Sequence, residues 1–103
     1  LMNIIHHAEF FIGLGSGSSW LSWALNKQVV MIANFSQEGH EFTENTIRIT
    51  NKNVCNGCWN NPNFRFERGD WNWCPVHQGT ERQFECHKSI TVDDVIAKIS
   101  HLL

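Results

Sequence analysis

The chain has 103 residues, which is enough for one hydrophobic core and too few for a two-domain enzyme. Its formal net charge is −2 and no run of Lys or Arg occurs, which excludes binding to nucleic acid or anionic membranes by bulk charge. The first residues do not read as a signal peptide and no apolar stretch approaches the roughly 20 residues that span a bilayer. We therefore expect a soluble, cytoplasmic protein whose four cysteines are not in disulfides.

The first 34 residues predict a strand, a turn, a helix and a second strand. The apolar run EFFIGL ends at GSGSS, and the following WLSWALN places Trp20, Leu21, Ala24 and Leu25 at the spacing of one helical face. The next run, QVVMIA, is apolar throughout, as expected of a parallel strand buried on both faces. Parallel α/β sheets are built from such units. We therefore assign residues 1–34 to a partial βαβ unit.

The turn between the first strand and the helix, GLGSGSSW, is a candidate phosphate site. Small residues let a phosphate approach the backbone, and the free N–H groups at the start of a helix favour negative charge. The spacing matches neither a Walker A loop nor G-x-G-x-x-G, and a tight turn capped by Ser is the alternative interpretation. The residues that would contact the phosphate are Gly15, Ser16, Gly17, Ser18 and Ser19.

A group of charged side chains follows the second strand: Glu38, His40, Glu41 and Glu44 lie within SQEGHEFTENT. In open parallel sheets, ligands bind beyond the carboxyl ends of the strands, where this segment and the glycine turn would both lie. These side chains could contact a nucleotide or sugar hydroxyls, whereas a solvated loop is the default interpretation.

Four cysteines, Cys55, Cys58, Cys74 and Cys86, mark the polar middle of the chain. The first two form a C-x2-C pair, and fifteen and then eleven residues separate the later ones. Tetrahedral zinc or iron sites use four soft ligands, the first two on a tight knuckle, and Gly57 in CNGC suits that turn. We favour a site of four thiolates that binds one metal ion per chain.

Two alternatives to the four-thiolate site stay open. The second half has CPVH in place of another C-x2-C, so His77 can replace Cys86 as the fourth ligand. Cys74 and Cys86 can instead be buried core thiols, which are common in proteins.

Aromatic residues surround the cysteines and would cover the metal or form a contact surface for another protein. We assign residues 35–88 to a metal-binding lobe, of which residues 50–88 should be loose without the ion. The aromatic residues are Trp59, Phe64, Phe66, Trp71, Trp73 and Phe84.

Residues 89–103 predict a C-terminal helix that packs on the sheet. Thr91 is a suitable N-cap, and Asp93 and Asp94 lie in the first turn, where the helix dipole favours negative charge. An apolar stripe is expected to face the sheet. Its members are Val92, Val95, Ile96, Ile99 and Leu103.

Four segments together resemble the C-terminal part of the bacterial autotransporter heptosyltransferases: FFIGLGSGSSWLSWAL, ANFSQEGHEF, CNGCWN and DWNWCPVHQGTERQFECHKSIT. In that family, two Rossmann-like domains form a GT-B glycosyltransferase that transfers heptose from ADP-heptose to serines of autotransporter proteins. The resemblance implies a partial Rossmann-like (GT-B C-terminal) domain with a small four-cysteine metal-binding lobe. It also implies iron at Cys55, Cys58, Cys74 and Cys86, with zinc as the alternative, and a turn at Gly15 to Ser19 that faces the ADP diphosphate.

The leading hypothesis is therefore a C-terminal fragment of a heptosyltransferase, expected to be inactive alone because the family's catalytic acid and acceptor-binding domain would lie upstream. Its implied partners are the nucleotide sugar, an autotransporter acceptor and further copies of the chain, since the family forms ring-like dodecamers. The alternative is a stand-alone metal-stabilised module of the zinc-ribbon or rubredoxin type. Titration with ADP separates the two hypotheses.

Overall fold

The computed structural model describes all 103 residues and contains a three-stranded parallel sheet with helices against it. The strands are β1 (Phe10–Leu14), β2 (Gln28–Ile32) and β3 (Thr46–Ile49). The α-helices are α1 (Met2–His7), α2 (Gly17–Ala24), α3 (Glu85–Lys88) and α4 (Val92–Ile99), and short 3-10 turns span Glu38–His40 and Ser100–Leu102. No helix is both long and apolar enough to cross a lipid bilayer.

The strands run in the order β1, β2, β3, and both neighbouring pairs are parallel. Leu14 lies opposite Ile32, and Ile32 lies opposite Ile49, so the three carboxyl ends meet at one edge of the sheet. This confirms the α/β class and the parallel sheet predicted from the apolar runs. The edge at which the strands end is where ligands bind in open parallel sheets.

The central strand β2 is buried on both faces, as its uninterrupted apolar sequence predicted. Val29, Val30 and Met31 are all fully inaccessible to solvent. Val29 and Met31 pack with Phe42 on the face covered by α2, whereas Val30 packs on the opposite face. Because neighbouring side chains of a strand point in opposite directions, one apolar strand forms the centre of two core clusters.

Helix α2 forms where the spacing predicted a helix, and it buries two serines against the sheet. Ser19 and Ser22 are fully buried, whereas Trp20 is 43% exposed. The Ser19 hydroxyl donates to the Ser16 carbonyl (2.7 Å) and that of Ser22 to the Ser18 carbonyl (2.8 Å), so each polar group is satisfied within the helix. Small, satisfied serines can therefore face the sheet, whereas Leu21 and Leu25 are half-buried and Trp20 and Ala24 are exposed.

Helix α4 begins as predicted but buries only part of the expected stripe. The Asp94 N–H donates to the Thr91 hydroxyl (3.1 Å), and the Thr91 N–H donates to the Asp94 carboxylate (2.8 Å), which completes a capping box. Val95 and Ile99 pack against the sheet together with Leu102. The helix ends at Ile99, and the 3-10 turn that follows directs Leu102 inward in place of Leu103; Val92, Ile96 and Leu103 are exposed.

Strand β3 was not predicted, and it falls inside the range 35–88 that we assigned to the metal-binding lobe. Four residues, TIRI, form the strand within a polar region; their alternation of polar and apolar side chains fits a strand, and the parallel pairing with β2 establishes it. The Asn34 side chain adds two bonds beyond the strands, to the carbonyl (2.8 Å) and the N–H (3.1 Å) of Asn51. All four cysteines lie after β3, in residues 50–88, which we call the cysteine lobe.

Candidate metal centre and ligand cavity

The four cysteines of the lobe line one small cavity. Cys58, Cys74 and Cys86 are buried, Cys55 is half-buried, and all four are free thiols. The cavity has a volume of about 10 Å³. That space holds roughly one water-sized particle, so it suits a single ion. All four cysteines that the sequence proposed as ligands thus line one cavity, and the four-thiolate site stays a prediction.

The C-x2-C knuckle is held against the segment that follows β2. Gly57 has φ 72°, the left-handed conformation that glycine adopts without strain. Its N–H donates to the Asn34 carbonyl at 2.8 Å, and the Trp59 N–H donates to the Phe35 carbonyl at 3.1 Å. The Gln37 side chain in turn donates to the Gly57 carbonyl at 3.1 Å. Three hydrogen bonds therefore fix the knuckle at the carboxyl edge of the sheet.

Burial and mutual repulsion disfavour free thiolates in this cavity. Burial, followed by the charges of Cys86 and Cys55, raises the pKa of Cys58 to about 11. Burial also raises the pKa of Cys55 and of Cys86. A cation among the sulfurs reverses this balance, because thiolates are the metal ligands and binding releases their protons. The donor set, four soft ligands around an ion-sized cavity, fits zinc or iron.

His77 and Glu85 lie beside the cysteines. Ligand atoms of Cys55, His77 and Glu85 all lie within 4.8 Å of one another, and this group, rather than the four thiols, stands at metal-binding separation. Glu85 is already engaged: it accepts two bonds from Arg82 (2.8 and 2.9 Å) and one from the Cys55 N–H (3.1 Å). The hydrogen bonds from Arg82, more than any other cause, lower the pKa of Glu85 to about 2. The carboxylate thus acts on the backbone of a ligand residue.

An aromatic cluster covers the knuckle. Phe35 contacts Trp59, with ring centroids 5.4 Å apart, and Trp73, at 5.8 Å. Phe66 packs edge-on against both tryptophans. Trp71, which the sequence grouped with these rings, is 92% exposed and takes no part in the cover. Phe35 was not foreseen, because it is far from the cysteines in sequence and reaches them only through the fold.

A second and larger cavity, of about 380 Å³, lies at the carboxyl edge of the sheet. This volume is in the range of roughly 300–1,000 Å³ that is usual for small-molecule sites. Leu14, Gly15 and Ala33 contribute from the ends of β1 and β2. The cavity is therefore where the parallel topology predicts a ligand.

Only some of the residues predicted to contact phosphate in the glycine turn lie at this cavity. Gly15 lines the cavity, and Ser16 and Gly17 are exposed beside it. Ser19 is fully buried, and its hydroxyl accepts from the Ser16 N–H (3.0 Å) and donates to the Ser16 carbonyl. Ser19 therefore shapes the turn and is not open to a ligand, which corrects its assignment as a phosphate contact.

Glu41 is the acidic residue that the structure brings against the turn. It is almost fully buried and pairs with Arg48 at 3.0 Å, and it accepts a hydrogen bond from the Ser36 hydroxyl. A side chain at Gly15 would collide with the Glu41 carboxylate, so this close approach requires glycine. Glu38 instead pairs with Lys52 at the surface (3.7 Å). The sequence did not single out Arg48, whose role depends on the unforeseen strand β3.

Comparison with known proteins identifies similar heptosyltransferases. The chain is 48% identical over 101 residues to the autotransporter heptosyltransferase Aah of Escherichia coli, covering 98% of this chain and 26% of Aah. The crystal structure of the dodecameric iron-containing heptosyltransferase TibC, in complex with ADP-D-β-D-heptose, matches 98% of this chain and 27% of TibC, with 45% identity and a TM-score of 0.90. The inactive autotransporter heptosyltransferase BimC of Burkholderia thailandensis is 38% identical over 91 residues, 88% of this chain and 21% of BimC. No family model matches.

These similarities confirm the resemblance to autotransporter heptosyltransferases over nearly the whole chain, and the small α/β domain is similar to part of TibC. The chain spans about a quarter of the length of the relatives that it matches. One relative is described as inactive, so an activity has to be tested rather than transferred with the sequence.

Proposed function

We propose that this chain is the C-terminal part of a heptosyltransferase that uses ADP-heptose to modify an autotransporter protein. The observation that carries the proposal is the match of 98% of the chain, at 45% identity, to a protein crystallised with ADP-D-β-D-heptose. The parallel sheet and the cavity at its carboxyl edge support it, because nucleotide-binding α/β domains use that edge. The domain would be part of a Rossmann-like unit of a GT-B enzyme, with the cysteine lobe attached.

The metal in this proposal is iron, with zinc as the alternative, held one per chain by Cys55, Cys58, Cys74 and Cys86. TibC is described as iron-containing, and the four thiols here line a cavity of about 10 Å³, which supports the proposal. Four protein ligands leave no open coordination position, so the ion would cross-link the lobe and not bind substrate. The protein's own contribution is to hold the knuckle with Gly57 and to fix the Cys55 N–H with Glu85.

The turn from Gly15 to Ser18 would receive the diphosphate. The N–H groups of Gly17 and Ser18 are free to donate to an anion, whereas the capping box engages those of Ser16 and Ser19. Glu41 approaches the same turn, but Arg48 neutralises its charge and so reduces repulsion of the phosphates. The sugar and its acceptor would be handled together with further protein, because the relatives are about four times as long as this chain.

The proposed partners are ADP-heptose, an autotransporter acceptor and further copies of the chain. The relatives are named autotransporter heptosyltransferases, so the proposed acceptor is an autotransporter protein. TibC is described as dodecameric, which supports assembly with further copies. A stand-alone ribbon or rubredoxin module is not favoured, because the match extends over the sheet as well as the cysteines.

Calorimetric titration of the metal-loaded chain with ADP tests the nucleotide role. A separate titration with UDP is the comparison for the choice of base. We expect ADP to bind, and Gly15→Ala to weaken that binding by displacing Glu41 from the turn. The matched control is Gly39→Ala, because a methyl group there meets open space. Failure of the metal-loaded chain to bind ADP, or equal binding by both glycine variants, would contradict the assigned site.

A further inference from the structure

The cysteine lobe forms one wall of the large cavity. Leu14 and Gly15 belong to the sheet edge, whereas Trp59, Asn60 and His87 belong to the lobe. Trp59 directly follows one cysteine of the knuckle, and His87 directly follows Cys86. Any shift of these cysteines therefore moves a side chain that lines the cavity.

Phe35 is shared by the two cavities. It lines the thiol cavity as well as the 380 Å³ cavity, so it borders both. On the cavity side it lies near Trp59, at 5.4 Å between ring centroids, and His87, at 6.3 Å. A change of structure at either cavity therefore acts on the Phe35 side chain.

The backbone joins the same two sites. Residues 34–37 follow β2, and Phe35 and Ser36 of this segment line the large cavity. The knuckle is bonded to this segment by the Gly57 and Trp59 N–H groups and by the Gln37 side chain, at 2.8, 3.1 and 3.1 Å. Order in the knuckle is therefore passed through these hydrogen bonds to the segment that lines the large cavity.

We propose that Trp59 and His87 contact a nucleoside diphosphate in this cavity, and that metal binding at the cysteines and nucleotide binding at the sheet edge strengthen each other. This rests on the proposed function, and it adds that the lobe is part of the ligand site. The physical cause is shared ordering: the ion orders the lobe, so a nucleotide that binds afterwards loses less conformational entropy. Coupling of this kind is typically about 5- to 150-fold in affinity, and it is the same in both directions.

The test has two arms because linkage is reciprocal. In the first arm, ADP is titrated into the iron-loaded chain and into the chain stripped by a chelator, and we expect at least about fivefold weaker binding after stripping. In the second arm, the affinity for iron is measured by equilibrium competition with a chelator, with and without saturating ADP, and we expect ADP to raise it by the same factor. The second arm measures metal binding and not nucleotide binding, so it checks the first arm independently.

The outcomes separate this inference from the function on which it rests. Binding of ADP with equal affinity before and after stripping, or an iron affinity that ADP leaves unchanged, would overturn the coupling while leaving the nucleotide site in place. Absence of ADP binding to the loaded chain would overturn the nucleotide site and the coupling together.

The variant His87→Ala tests the contact itself, with His101→Ala as the control because His101 is exposed and outside the cavity. We expect His87→Ala to keep one iron per chain and to bind ADP more weakly, and the control to match the original chain. Loss of iron with unchanged ADP affinity would show that His87 serves the metal instead and would refute its role as a ligand contact.

Discussion

The sheet and the cysteine lobe are stabilised by different kinds of interaction. In the sheet, Val29, Val30 and Met31 are fully buried between two helical layers, and regular strand pairing satisfies the backbone. In the lobe, most residues form turns, the one helix has four residues, and the buried side chains are Trp73 and three cysteines. The difference indicates that a hydrophobic core stabilises the sheet, whereas the lobe requires a cross-link.

The largest expected effect is that of metal removal. Chelation should unfold residues 50–88 while leaving the sheet ordered, because structural metal binding is worth on the order of 10 kcal/mol and the lobe has little other core. Amide hydrogen exchange should show lost protection at Trp59 and Gln78 and retained protection at Val30. Equal loss in both regions would show that the two form one cooperative unit.

The substitution Met31→Ala tests the opposite region. Met31 is fully buried, so the substitution should cost about 2–5 kcal/mol of unfolding free energy, by lost burial and an unfilled cavity. Urea denaturation measures this, and Ile12→Ala, at an exposed position of β1, is the control that should change stability by less than about 1 kcal/mol. Similar losses in the two variants would mean that β2 is not the centre of the core.

The substitution Glu85→Ala probes the support of the knuckle without removing a thiol. It leaves the Cys55 N–H without its acceptor and frees Arg82, so we expect about 10- to 100-fold weaker metal binding with unchanged stoichiometry. Competition with a coloured chelator measures the affinity. The neighbouring variant Glu81→Ala is the control, since Glu81 is exposed. A change to less than one metal per chain would instead identify Glu85 as a direct ligand.

The smallest effect concerns the cap of α4. Its hydrogen bond from the Thr91 N–H lowers the pKa of Asp94 from the ordinary value of 3.8. A carboxyl with a lowered pKa stabilises the folded state fully above pH 3.8, and this contribution is lost as the pH falls through the lowered pKa. Asp94→Asn should therefore reduce the acid dependence of unfolding relative to Asp93→Asn, measured by denaturation between pH 6 and pH 2. Identical pH profiles for the two variants would contradict the capping role.

Local patterns in the sequence were sufficient for β1, β2, the Ser-capped turn and the start of α4. Two features were missed: β3, whose four-residue alternation is short within a polar region, and the burial of Ser19, whose hydroxyl is satisfied by the Ser16 carbonyl. The candidate ligand cysteines were visible from their spacing. Phe35 and Arg48 were not, because their roles depend on residues that the fold brings near.

The most direct test of the account is the metal content of the purified chain, measured by elemental mass spectrometry for the original protein, Cys86→Ser and His77→Ala. The account predicts about one iron or zinc per chain, retained in His77→Ala and lost in Cys86→Ser, because a closed structural site needs all four thiolates. Metal that survives without Cys86, or that leaves with His77, would contradict the four-thiolate site that orders the lobe.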